Sequence, residues 1–321
     1  MLTPQQIKKI LQENDIAVLK KFGQNFLISE SVLNKIVATA NIKPTDTILE
    51  IGPGLGVLTF ELAKRASKVI AIEKDRKMSE ILKKNLAEKN ISNIEVINED
   101  ALAVEARFLE LLKLGFKGAQ NRASTALEPK TELPQQSYKL VANLPYNIAT
   151  AVIMKFLQSE NPPQRIVVMV QKEVAQRIVA ISPHMNKLAI FCQLYATPKI
   201  IDIVPPAAFW PKPKVDSAIL QLIPRNSVLE SCGSSVFRDP KTELQQPNAL
   251  ENLVNLGFSH PRKTLLNNFA KLGEKEKIGQ WLLENNIQPS QRPETLSIHN
   301  WLSLAKNIEL VEYVNFMLKN T

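Results

Sequence analysis

Cysteine is nearly absent from the 321 residues, since only Cys192 and Cys232 occur and they lie far apart; this excludes a disulfide framework. Histidine is as scarce, with His184, His260 and His299 scattered along the chain. No zinc cluster assembles from such spacing, so a site without metal is expected. No apolar run approaches the roughly 18 residues needed to cross a bilayer, and the start MLTPQQIKKILQEND lacks the apolar core of a secretory signal. A cytoplasmic protein with no membrane partner is the expectation, and no feature demands more than a monomer. Acidic residues are in deficit as well, 31 against 40 Lys and Arg, for a formal charge of +9. Such an excess points toward a polyanion, although it also serves plain solubility.

What is present is an ordinary globular composition, 45% hydrophobic, long enough for one medium domain with a smaller companion. Between residues 47 and 223 short β-branched runs alternate with longer amphipathic segments, the pattern of a parallel sheet with helices on both faces. Strands are expected at 47–51, 68–72, 94–97, 138–142, 165–170, 199–204 and 218–223. Helices are expected at 29–40, 55–65, 75–89, 102–114, 148–158 and 172–181. Two stretches rich in Gly, Pro, Ser, Gln and charge, 115–137 and 225–247, read as a surface insertion and a linker. Residues 1–224 are then an α/β domain and 248–321 a small all-α domain, whose most basic helix is expected over GFSHPRKTLLNNFAKLG, 257–273.

The first strand runs into EIGPGLG, where Gly52, Gly54 and Gly56 permit a tight turn at the carboxyl end of the strand, the ligand edge of open α/β sheets. The second strand ends at Glu73, about twenty residues on, where an acid can accept hydrogen bonds from ribose hydroxyls. Both a nicotinamide dinucleotide and S-adenosylmethionine carry that ribose. A dinucleotide fingerprint starting at Gly52 needs a glycine at position 57, where Val57 stands, so the methyl donor is the better match. Asp100 ends the third strand, suited to an adenine amino group and equally suited to capping a helix.

The run LVANLPYNIAT, 140–150, breaks from buried strand into Asn143, Leu144, Pro145 and Tyr146. An exocyclic base amine is a poor nucleophile because its lone pair is delocalised, so a catalyst must hold it with the lone pair facing the methyl group. The Asn143 side-chain oxygen and the Leu144 carbonyl can each accept one N–H, with Pro145 biasing the backbone before it to an extended form. Tyr146 offers a flat face for a base. The plainer alternative has Asn143 capping the helix near Ile148 and Tyr146 filling core.

These residues, with KKFGQNFLIS, VVMVQKEVAQRI, PPAAFWPKPKVDSAI and RKTLLNNF, make the chain resemble the ribosomal RNA small-subunit adenine dimethyltransferases, relatives of the erythromycin-resistance large-subunit enzymes and mitochondrial transcription factor B proteins. The resemblance implies a Rossmann-like S-adenosylmethionine-dependent methyltransferase fold with an rRNA-binding helical domain. It implies donor contacts at Asn25, Leu27, Gly52, Glu73, Asp100 and Asn143, and a catalytic loop of Asn143, Leu144, Pro145 and Tyr146. The implied reaction places four methyl groups on two neighbouring adenosines in a hairpin near the 3′ end of small-subunit rRNA, within an immature subunit. Phe209 is expected to stack the base opposite Tyr146, and Lys212, Lys214, Arg262 and Lys263 to meet RNA. The segment 181–191 departs from the family pattern. Rival readings are an adenine methyltransferase of large-subunit rRNA and a non-catalytic assembly factor on the same fold.

Overall fold

The computed structural model describes residues 1–16, 25–104, 137–159, 161–225 and 247–306. The expected helix at 102–114, the insertion and the linker fall almost wholly outside them. Nine strands are present among the described residues: β1 (Phe26–Leu27), β2 (Thr47–Ile51), β3 (Lys68–Ile72), β4 (Ile94–Ile97), β5 (Tyr138–Asn143), β6 (Arg165–Gln171), β7 (Ala196–Val204), β8 (Phe209–Trp210) and β9 (Ser217–Pro224). Seven of them form one sheet in the order β4–β3–β2–β5–β6–β9–β7. All seven expected strands are there, within a few residues of their expected bounds.

Parallel pairing joins β4, β3, β2, β5 and β6, while β9 returns antiparallel beside β6. From β2 the chain builds outward to β3 and β4, then crosses back to add β5 and β6 on the other side. The switch point therefore lies between β2 and β5, and the crevice at their carboxyl ends is where such a sheet binds ligands.

Helices α1 (Pro4–Glu13), α2 (Glu30–Ala40), α3 (Val57–Ala63), α4 (Arg76–Glu88), α5 (Ala149–Gln158) and α6 (Lys172–Ile178) follow. The first was not among the expected segments, yet its start is locally coded. Thr3 and Gln6 form a reciprocal capping box ahead of Pro4, which satisfies two otherwise orphaned N–H groups. Between sheet and helices, Ile48, Val69, Val141, Val167 and Ile219 of the strands pack with Leu33, Ile36, Leu58 and Leu62, each worth roughly 1.5–3 kcal/mol of burial. Lys139, on the buried strand β5, is tolerated because Asp46 meets its ammonium at 2.6 Å; removing either partner would cost about 3–5 kcal/mol.

The chain divides into two units, Met1–Ala175 with Lys199–Pro224, and Gln176–Pro198 with Arg225–Thr321. A single cut at 224 therefore misplaces residues 176–198. Their helix α7 (Lys187–Tyr195) is apolar on most of its surface and buries Ala189, Ile190 and Leu194 among Leu253, Val254, Phe269, Trp281 and Trp301. The second unit continues with α8 (Pro247–Gly257), α9 (Leu265–Asn268), α10 (Lys275–Glu284) and α11 (Ile298–Lys306). The expected helix over 257–273 is not continuous: α8 ends at Gly257, and Arg262 and Lys263 stand exposed in the turn before α9. Pro261 cannot serve a helix interior, and the buried Asn268 amide holds the turn through the Gly257 and His260 carbonyls at 2.6 and 3.2 Å. In the divergent segment, the Ser182 hydroxyl donates to the Thr295 carbonyl at 2.8 Å and the Met185 N–H to the Glu294 carbonyl at 2.9 Å.

Candidate active site

At the end of β2 the Gly52 N–H donates to the Ile72 carbonyl at 2.9 Å, and the chain turns with φ +68°, a conformation L side chains rarely adopt. A Cβ at Gly52 would stand 3.2 Å from Cδ of Pro145. Glycine thus allows the turns after β2 and β5 to touch at the switch point. Two residues on, the Gly54 N–H donates to Glu73 Oε2 at 3.0 Å, and the Asp75 N–H to Oε1 at 2.9 Å.

Glu73 is 8% exposed, and burial raises its carboxyl above the ordinary range, with the Asp75 and Gly54 N–H groups opposing. Each of its oxygens keeps a lone pair beyond the backbone bond, the capacity that two vicinal hydroxyls require. Asp100 is held differently. Its Oδ2 pairs with the Lys74 ammonium at 2.7 Å and its Oδ1 accepts from Leu102 N–H at 2.9 Å, and first Lys74, then Leu102, hold its carboxyl below the usual range. Asp100 thus caps the turn that follows β4.

Strand β5 runs one residue further than expected, so that Asn143 lies in the ladder opposite Met169. Its side-chain Nδ2 donates to the Asn25 carbonyl at 3.1 Å. Because a carbonyl can only accept, this fixes the amide orientation and turns Oδ1 to the other side as an acceptor. The turn that follows closes from Ile148 N–H to the Pro145 carbonyl at 3.2 Å, so it does not consume the Leu144 carbonyl. Ile148 is the N-cap of α5, so Asn143 is not a helix cap. Tyr146 is half-buried, with its hydroxyl 2.7 Å from Ser217 Oγ.

Asn25, Leu27, Gly52, Glu73, Asp100, Asn143, Leu144, Pro145 and Tyr146 all line one cavity of about 340 Å³, the size of a small-molecule site. Phe209, Lys212 and Lys214 do not line it. The two lysines are exposed, but Phe209 is 2% exposed, paired with Leu27 across β1 and β8 and packed against the sheet core. The stack of Phe209 opposite Tyr146 is therefore absent from this arrangement, because the alternation of the FW pair sends the phenylalanine inward.

The residue that sequence reasoning missed is Glu50. It lines the cavity, is 1% exposed, and its Oε2 has no hydrogen-bond partner among the described residues. Burial pushes its carboxyl up to about 8, with the Thr59 hydroxyl opposing and the Glu73 charge adding. A glutamate inside the apolar run TILEI was the available signal. An unpartnered buried oxygen at a cavity edge, beside an acid with spare acceptors, fits a ligand that brings hydroxyl and ammonium groups, and the apolar flank of Leu27, Leu55 and Val57 suits its carbon skeleton. Among the described residues no three His, Cys, Asp or Glu side chains gather as a metal site, and no helix is long and apolar enough to cross a membrane.

Comparison with known proteins gives concordant results. The family model described as ribosomal RNA adenine dimethylase matches residues 17–310. A protein of Dehalococcoides mccartyi named ribosomal RNA small subunit methyltransferase A is 39% identical over 304 residues, covering 94% of this chain and 91% of that one. A crystal structure of a dimethyladenosine transferase from Plasmodium falciparum superposes with a TM-score of 0.65 at 27% identity, over 87% of this chain and 95% of the other. The 23S rRNA methyltransferase ErmE shares the fold, with a TM-score of 0.62 at 22% identity over 89% of this chain and all of that one.

Proposed function

The chain belongs to the ribosomal RNA adenine dimethylase family, and from that premise we propose that it dimethylates N6 of two adjacent adenosines in a hairpin near the 3′ end of small-subunit rRNA. It is a methyltransferase, its macromolecular partner is rRNA, and the family's methyl donor is S-adenosylmethionine. The finer reading, small rather than large subunit, draws on the name of the Dehalococcoides mccartyi relative.

Bound in the cavity, S-adenosylmethionine supplies an activated methyl group, so no strong base is needed to start the transfer. Glu73 would hold its ribose hydroxyls and Asp100 its adenine amino group, with Glu50 available to a further polar group. The base amine is oriented by Asn143 Oδ1 and the Leu144 carbonyl, two fixed acceptors whose attraction grows as positive charge develops on nitrogen. Pro145 sets their direction and Tyr146 stacks the base. The observation that supports this reading is the Asn143 to Asn25 hydrogen bond, because it leaves Oδ1 as the remaining acceptor of a side chain that lines the same cavity as Gly52, Glu73 and Asp100.

The second unit and the exposed Lys212, Lys214, Arg262 and Lys263 engage rRNA phosphates. An immature small subunit is the substrate, acted on in the cytoplasm by a monomer without metal. Labelled S-adenosylmethionine incubated with small subunits lacking the adenine modifications tests this: label mapping to two adjacent adenosines supports it. No label on the small-subunit rRNA, with label appearing on large-subunit rRNA supplied in a parallel reaction or on no RNA at all, rejects it.

A further inference from the structure

Ser217 is not among the residues of the proposed catalytic loop, yet from the start of β9 its hydroxyl meets a side chain of that loop. Its Oγ stands 2.7 Å from the Tyr146 hydroxyl, the length of a well-formed O–H···O bond. Ser217 is 0% exposed and opens β9, in register with Gln171 of β6. The residue before it is clamped twice, by the Lys172 N–H on the Asp216 carbonyl at 3.0 Å and by the Lys172 ammonium on Asp216 Oδ2 at 3.1 Å. Ser217 cannot shift without disturbing the ladder between β6 and β9, and packed interiors resist that.

Tyr146 differs, because it rides on a turn and is half-buried. In tyrosine the Cβ–Cγ axis passes through the phenol oxygen. A bond at that oxygen therefore fixes where the ring points, while leaving rotation about its own axis. Burial raises the phenol above its ordinary value, which keeps it protonated and bonded across the neutral range.

We propose that Ser217 is a positioning residue for the methyl transfer, pinning the Tyr146 ring at the cavity mouth so that the stacked base meets Asn143 Oδ1 and the Leu144 carbonyl in register. This rests on the reading of Tyr146 as the stacking surface. A hydrogen bond of this kind contributes roughly tenfold through its net strength, and a base misplaced by an ångström costs about a hundredfold in rate. Donor binding is spared, because among the described residues none from β9 lines the cavity that Gly52, Glu73 and Asp100 line.

The test is a double-mutant cycle on the full chain, using small ribosomal subunits that lack the adenine modifications. S217A and Y146F are each expected to lower turnover about ten- to a hundredfold, with donor affinity within about twofold of the parent and melting temperatures preserved. The double variant should be no slower than either single one, since both remove the same bond. S217T, which keeps a hydroxyl, should recover most of the rate. Additive losses, or S217A at parental turnover, would overturn the proposal. Should S217A fail to fold, Y146F alone decides it, with parental turnover refuting the pinning. Y146A separates the two ideas: parental turnover there would refute stacking itself, whereas a deep loss beside an unaffected Y146F would refute only the role of Ser217.

Discussion

Gly52 and Pro145 touch across the switch point of the sheet, with only 3.2 Å between Cδ of the proline and the place a Cβ on Gly52 would occupy. The donor-side turn and the base-side turn are thereby one packed unit. Gly52→Ala should strain the positive φ, costing about 1–2 kcal/mol, and push the Pro145 turn outward. The melting temperature is expected to fall by roughly 2–8 °C, and turnover by about a hundredfold through misplacement of Asn143 and Leu144. Calorimetry and steady-state rates check both, and unchanged turnover would show that the two turns move independently.

Glu50 makes stability depend on pH in an unusual sense. Its folded carboxyl sits near 8 against an ordinary 4.5, so between those values the folded state holds more protons than the unfolded one. Stability therefore falls as pH rises through that window, by linkage on the order of 4–5 kcal/mol. Glu73, raised in the same direction, adds a smaller share. Glu50→Gln should flatten the decline of melting temperature between pH 5 and 8, and a slope equal to that of the parent would contradict the assignment.

The exposed lysines act through phosphates. Replacing Lys212 and Lys214 together with alanine should weaken binding to an rRNA hairpin and reduce the slope of log affinity against log salt by about 1 for each lysine. Turnover at saturating RNA should change little. The paired change at Arg262 and Lys263 is expected to behave alike. Salt titrations by fluorescence anisotropy read these slopes, and unaltered slopes would remove the residues from the interface.

Much of this architecture was legible from single residues. The β-branched runs ending at Gly52, Glu73, Asp100 and Asn143 marked both the strands and their ligand edge, because a buried parallel strand must be apolar and only its carboxyl end can carry chemistry. Burial that depends on long-range packing was not legible. Phe209 faces inward because a two-residue strand pairs with Leu27, residues apart in sequence by most of the domain. The turn at 258–264 exists because Asn268 gathers carbonyls from behind it, and α7 joins the helical unit because its apolar surface finds Trp281 and Trp301 there. Ser217 looks unremarkable in sequence and Glu50 stands out only as an acid inside an apolar run; their roles emerge when the fold sets one beside Tyr146 and the other against the cavity.

In the proposed reaction Asn143, its amide fixed by the Asn25 carbonyl, orients the base amine rather than simply building the donor pocket. Donor affinity and single-turnover rate measured side by side for Asn143→Ala test it most directly, with Asp100→Ala as the opposite control. The expected outcome is a loss of about 10²–10³ in the rate of Asn143→Ala with donor affinity within about threefold of the parent, and for Asp100→Ala weakened donor binding with the rate at saturation largely kept. Equal losses of rate and donor affinity in Asn143→Ala would contradict it.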